Sequence, residues 1–245
     1  MVLEARILPA SNATFIGQIG SAKVVYKPVA GERPLWDFPD GTLAHREVAA
    51  FLVSEALGWD IVPRTWLRDG PHGRGMAQLW RQPDPAQEAV TLVPAGDVPA
   101  EGWCHVLDGV DAHDREVALL HEDSPALRRM AVFDVVTNNA DRKGGHVLAM
   151  ADGHRYGVDH GLTFHVEHKL RTVLWGWVDR ELDADEVVGV ERVRDGLDGD
   201  LGAALGELLT GSELAALVAR CDGLLAAGRL PAPLPGHPAI PWPPF

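Results

Sequence analysis

Residues 133–164, FDVVTNNADRKGGHVLAMADGHRYGVDHGLTF, decide how the chain reads. The end of a helix gives way to a polar loop over Asn138–Gly145, then to a short apolar strand, Val147–Met150. An Ala-Asp-Gly turn (Ala151–Gly153) returns the chain as Arg155–Val158, which runs into Asp159. Alternation on both sides of a turn predicts a β-hairpin. Antiparallel strands lie about 4.8 Å apart, so the pairing sets His146 opposite Asp159, with Asp141 one loop away. A carboxylate able to accept a proton, beside two groups able to hold a divalent cation, supplies the parts for metal-assisted phosphoryl transfer.

The spacing carries a resemblance. Asp141-Arg142, a polar residue five after the Asp, a hairpin and then Val158-Asp159-His160-Gly161-Leu162-Thr163-Phe164 resemble the catalytic and metal-binding loops of the phosphatidylinositol 3-/4-kinase-like branch of the protein-kinase fold. Type II phosphatidylinositol 4-kinases and HipA-like kinases are similar in pattern. The resemblance implies an α+β, two-lobed fold, with a small β-rich N-lobe over residues 1–82 and a reduced helical C-lobe over 83–245. It implies Asp141 as catalytic base, Asp159 and His146 as metal ligands, and Arg142 or Lys143 neutralising charge on the transferring phosphoryl group. ATP with Mg²⁺ or Mn²⁺ would be the cofactors. The family usually has Asn where this chain has His146, and imidazole suits Mn²⁺ or Zn²⁺ better than Mg²⁺.

Working toward the N-terminus, Ser11–Phe15 is a small polar turn, and Lys23–Val29 reads as a strand that Pro28 ends. In the resembled fold such a turn covers the phosphates, which places Ser11 and Asn12 there, and the strand lysine grips them, which selects Lys27. The chain has only four lysines, at 23, 27, 143 and 169. A helix from Thr42, its expected cap, to the stop at Gly58 carries Glu47, the expected ion-pair partner of Lys27. The Ile61–Leu67 strand and its hairpin partner Gly75–Trp80 lead to a hinge, where the resemblance puts adenine against Gln78, Leu79 and Trp80.

Arg81–Pro85 breaks both periodicities and marks the lobe boundary. Residues 86–102 read as irregular, with a short helix near 110–120. Ser124-Pro125 starts a helix that runs to about Val136 and turns Asp134 inward, where it braces the loop before Asp141. Residues 165–179 stand where the family places its activation segment and offer Lys169 and Arg171. Three helices follow, over 179–188, 197–209 and 212–227, the last capped by Ser212. Residues 229–245 form an extended Pro/Trp tail.

The 22 basic and 35 acidic residues give a formal charge of −13, which argues against nucleic acid and against stable membrane association. No leader or membrane-length apolar run is evident, so a soluble cytoplasmic protein is expected. Cys104 and Cys221 are too isolated for a disulfide framework or a cysteine zinc site. The leading expectation is an ATP-dependent phosphotransferase acting on an unidentified acceptor, protein or small molecule rather than lipid. The alternatives are a non-catalytic nucleotide-binding pseudokinase and a metal-dependent hydrolase using Asp159 with His160, His165 and His168.

Overall fold

The computed structural model describes residues 1–8, 12–39 and 41–245. Its first sheet is antiparallel in the order β1-β2-β3-β5-β4, formed by β1 (Val2–Arg6), β2 (Phe15–Ile19), β3 (Ala22–Pro28), β4 (Thr65–Gly70) and β5 (Gly73–Leu79). Helix α1 (Leu43–Leu57) enters between β3 and β4 and packs on β4 and β5. The α+β class expected from the sequence is what the chain adopts.

Residues α1 buries lie all around it, among them Leu43, Ala44, Glu47, Val48, Ala49, Ala50, Val53 and Leu57, as expected of a helix enclosed by other elements. Gly58, at φ 78°, ends it in the left-handed conformation. The cap differs from expectation. Thr42 donates its hydroxyl to Pro39 O (2.7 Å), while the open N–H groups of Leu43 and Ala44 go to the Glu32 carboxylate at 3.1 and 2.9 Å. A full negative charge at a helix N-terminus satisfies donors and opposes the helix dipole together.

The expected irregular stretch and short helix are overturned. Residues 90–122 form a second antiparallel sheet, order β6-β8-β7, from β6 (Val90–Pro94), β7 (Trp103–Val110) and β8 (Glu116–Glu122). β8 is the central strand, and its run Ala118–His121 is buried throughout, so the period-2 alternation that marks a strand is missing. Helix α2 (Pro125–Thr137) follows, with Ser124 Oγ accepting from Leu127 N at 3.2 Å, as its Ser-Pro start predicts. The hairpin is β9 (Val147–Ala149) with β10 (Arg155–Gly157), and Gly157 lies opposite Val147.

Of the last helices, the first is displaced from the expected 179–188 to α3 (Ala184–Gly196), the second is the shorter α4 (Asp200–Gly206) and the third, α5 (Gly211–Ala227), falls where it was read. Capping boxes fix two of these starts, Asp183 with Glu186 and Thr210 with Glu213, so Thr210 and not Ser212 caps α5. One apolar core joins α1 to the later elements through Val53, Leu57, Leu127, Met130, Phe133, Val190, Leu217 and Cys221. The tail does not leave the body. Ala239 O accepts from Thr172 N (3.0 Å) and from the Trp175 indole (2.9 Å), and Pro244 O accepts from Gly144 N (2.8 Å). Among the described residues no helix is long and apolar enough to cross a membrane.

Arg46 of α1 is buried and donates to Thr163 O and to the Glu213 carboxylate of α5. Removing one partner of a buried ion pair strands the other, at a cost of roughly 3–5 kcal/mol. Glu213→Ala is expected to lower stability by about that much in urea unfolding; a loss within 0.5 kcal/mol, the range of an ordinary surface change, would contradict this reading.

Candidate functional site

The register of the first sheet aims Lys27. It lies opposite Met76 of β5, and Met76 packs on Ala44 and Val48 of α1, so the lysine faces the helix turn that carries Glu47. Lys27 Nζ donates to Glu47 Oε1 at 2.6 Å and to Asp159 Oδ1 at 2.7 Å. Glu47 Oε2 accepts from the backbone N–H of His160 at 2.9 Å. One carboxylate thus ties β3 to α1 and α1 to the loop after the hairpin.

The charges follow from this packing. Burial alone would push Lys27 down, but Asp159 and Glu47 together hold its ammonium above the ordinary lysine range. Lys27 holds the Asp159 carboxyl well below the usual carboxylate range. Burial raises the Glu47 carboxyl against the pull of Lys27. Asp159 keeps half of its side chain exposed and takes a positive φ of 62°, which turns the carboxylate out of the strand direction toward the lysine.

Asp141 and His146 stand across from this pair. His146 Nδ1 is 2.8 Å from Asp141 O, and its Nε2 is 3.6 Å from Asp159 Oδ2. Because a carbonyl only accepts, Nδ1 carries the proton and Nε2 presents its lone pair toward Asp159. Burial lowers the imidazole pKa below its ordinary value, which disfavours the charged ring. Burial also raises the Asp141 carboxyl to about 6, against the opposing pull of Lys143, whose Nζ is 3.6 Å away. A carboxyl tuned to that range is suited to accept a proton near neutral pH.

The remaining expected site residues divide. Arg142 is fully buried: its guanidinium pairs with Asp134 (2.8 and 3.0 Å) and donates to His160 Nε2 (2.8 Å), Val158 O (3.3 Å) and His146 O (3.4 Å). It is therefore turned away from any phosphoryl group at the Lys27 site, which corrects the expected charge-neutralising role of Arg142. Gln78 points its amide into the interior, at 2.9 Å from Thr65 Oγ1. The N–H groups of Leu79 and Trp80 are spent on Arg64 O (2.9 Å) and Lys23 O (3.0 Å), so neither is free for adenine. Asn12 uses its carboxamide oxygen to accept from Arg33 N at 2.8 Å, which ties the turn to the following loop. Ser11 lies outside the described residues.

Histidines 160, 165 and 168 do not converge. His160 is buried on Arg142, His165 packs on Phe38 (5.2 Å) and His168 faces His237 (6.3 Å). Among the described residues no group of three or more His, Cys, Asp or Glu side chains is arranged to hold a metal ion.

Asn139 escaped the sequence reading. It donates to Asp134 Oδ1 (2.9 Å) and accepts from Asp141 N (3.0 Å), relaying the buried Asp134–Arg142 pair to the candidate base. Asn138 was also missed. In the left-handed conformation (φ 52°) it ends α2, and its side chain binds His165 O, Glu167 O and Lys169 N. The signal available was the Asn-Asn pair directly after a helix, since Asn tolerates that conformation and binds local backbone.

Compared with known proteins, the chain is 51% identical over 258 aligned positions to Protein Rv2133c of Mycobacterium tuberculosis, covering all of this chain and 92% of that protein. It belongs to the same family as that protein. No family model matches the chain. The crystal structure of the Helicobacter pylori proinflammatory kinase CtkA aligns with 93% of this chain and 91% of its own, with a TM-score of 0.48 and 11% identity.

Asp141 titrates near 6 when folded and near 3.9 in an unfolded chain, so the folded state binds the proton more tightly. Ionising it therefore costs stability as pH rises from about 4 through 6, and that cost is fully present above this window. Asp141→Asn is expected to stabilise the protein at pH 7.5 by on the order of 1–3 kcal/mol and to have little effect at pH 4. Chemical unfolding at the two pH values checks this; equal effects at both would refute the raised carboxyl.

Proposed function

We propose that this protein is an ATP-dependent phosphotransferase of the phosphatidylinositol 3-/4-kinase-like type, whose acceptor is a hydroxyl on a protein or small molecule. The observation that carries the reading is Lys27, bridged at 2.6 Å to Glu47 and at 2.7 Å to Asp159. A lysine held by a helix carboxylate beside a second, half-exposed carboxylate matches the arrangement that grips ATP phosphates in kinases. In this reading Glu47 keeps Lys27 in place and Lys27 fixes the phosphates. Asp141 orients the acceptor hydroxyl and takes its proton, and Lys143 neutralises charge on the phosphoryl group as it transfers.

His146 Nε2 and Asp159 Oδ2 fit a divalent cation: they face each other at 3.6 Å, and the opposite imidazole nitrogen is already engaged by Asp141 O. Two protein ligands suffice for an ion whose remaining positions go to phosphates and water. Such an ion would neutralise charge on the phosphates. The hinge contact with adenine falls beyond Trp80, because the preceding amides are committed to the sheet. A phosphoinositide headgroup is a poor fit for the 165–171 segment, since Lys169 is engaged by Asp37 (3.1 Å) and Glu167 (3.6 Å).

The test combines binding with transfer. MgATP or MnATP at about 100 times its dissociation constant should stabilise the wild-type protein by roughly 2.7 kcal/mol, and Asp159→Ala should lose that gain. Asp141→Asn should keep ATP binding while label transfer from γ-labelled ATP, to an acceptor or to the protein itself, falls about 10²- to 10⁴-fold. Binding without transfer in the wild type would favour the pseudokinase reading, for which His146 in place of Asn is the motive. No stabilisation with either metal would overturn both.

A further inference from the structure

Away from the Lys27 site, a cavity of about 410 Å³ opens between the end of α2, the face of α5 and the start of the tail. Its walls are largely apolar, with Val135, Leu170, Leu224 and Leu230 among them. Arg220 of α5 forms part of the wall. Its Nε donates to Val136 O at 2.8 Å and Nη1 to His165 O at 3.3 Å, while the buried Nη2 meets no acceptor among the described residues.

Four other arginines drawn into the interior meet a carboxylate, whereas Arg81, like Arg220, keeps a buried nitrogen without a partner among the described residues. Arg46 meets Glu213, Arg128 meets Glu186, Arg142 meets Asp134 and Arg155 meets Glu122. Arg220 has only carbonyl oxygens, and no carboxylate stands within 4.0 Å of it among the described residues. A guanidinium taken from water without a counter-charge is costly, and the strain shows in its pKa, which burial lowers to about 10. In a chain with a formal charge of −13, acidic partners are plentiful, yet this position has none.

Gly223 marks a place where the wall can be altered. It sits inside α5, where glycine costs about 1 kcal/mol relative to alanine, and it lines the same cavity. A Cβ built there meets nothing within 4 Å, so a side chain can be introduced at this part of the wall without a clash.

We propose that this cavity binds a small organic anion, a carboxylate on an apolar body, with the Arg220 guanidinium in its wall as the counter-charge and the leucine walls around the body. Its volume falls in the range of small-molecule pockets, about 300–1,000 Å³. Arg229 in the wall favours the same charge, and Asp179 is its one carboxylate. The site does not depend on the nucleotide reading. Its occupant would touch Asn138, which anchors the 165–169 segment.

The test is calorimetric titration of the full chain with decanoate, and with decanol and inorganic phosphate as the uncharged and body-less probes. Decanoate is expected to bind one per chain and at least tenfold more tightly than either control. Arg220→Met should weaken decanoate at least tenfold while leaving the thermal midpoint unchanged or raised, because it removes an uncompensated charge. Gly223→Leu, which gains helix propensity, should fold and abolish binding, and Asp159→Ala should bind decanoate as the wild type does. Failure of decanoate to bind the wild type, decanol binding as tightly, or undiminished binding in both Arg220→Met and Gly223→Leu would overturn the proposal.

Discussion

The ammonium of Lys27, shared between Glu47 and Asp159, is the contact on which the arrangement of the cleft depends. Three separate pieces of chain meet there: a strand of the first sheet, the one helix that follows it, and the turn that ends the hairpin. Two carboxylates drawn to one cation repel each other unless the cation stays, so the lysine is needed to bring the acidic groups together. The same geometry leaves the cluster one positive charge short, and polar groups in that state respond strongly to an arriving ligand. Asp159 is the half-exposed member and the one able to change partners.

A second layer holds this contact in place. Asp134 and Arg142, both fully buried, pair beneath the candidate catalytic loop, and Arg142 reaches the carbonyls on both sides of the hairpin mouth, at His146 and Val158. Gly157 lets that guanidinium approach: a Cβ there would come within 3.0 Å of Nη2. From the outside, Phe245 covers Gly144, where a Cβ would strike its ring at 2.3 Å, and Pro244 O accepts from the Gly144 amide. The loop carrying Asp141, Lys143 and His146 is thus clamped between a buried ion pair and the tail. Helix α1 is enclosed by the sheet and by α3 and α4, so Glu47 is held by packing on several sides rather than resting on a mobile helix.

Much of this was legible in the residues. The hairpin, the Ser-Pro start of α2 and the inward turn of Asp134 follow local rules of alternation, capping and spacing, while the meeting of Lys27 with Glu47 was expected only from the resemblance to kinases. What could not be read has a common cause. β8 lost its alternation because both of its faces are covered, and Glu32 caps α1 from eleven residues away, a contact no local pattern encodes. Arg142 illustrates the limit most plainly: an arginine beside a candidate catalytic aspartate reads as a phosphate ligand until the fold shows its guanidinium turned inward. The amides of Leu79 and Trp80 are a similar case, since only the sheet register reveals that they are already spent.

The most direct measurement uses the scarcity of lysine, four in 245 residues. An acyl-phosphate derivative of ATP transfers its acyl group to a lysine amine lying beside the bound phosphates, and peptide mass spectrometry then identifies the lysine. The account requires Lys27 to be labelled and to be protected by excess MgATP or MnATP, with Lys23 and Lys169 indifferent to nucleotide. Equal labelling of Lys23, Lys27 and Lys169, unaffected by competing ATP, would contradict it.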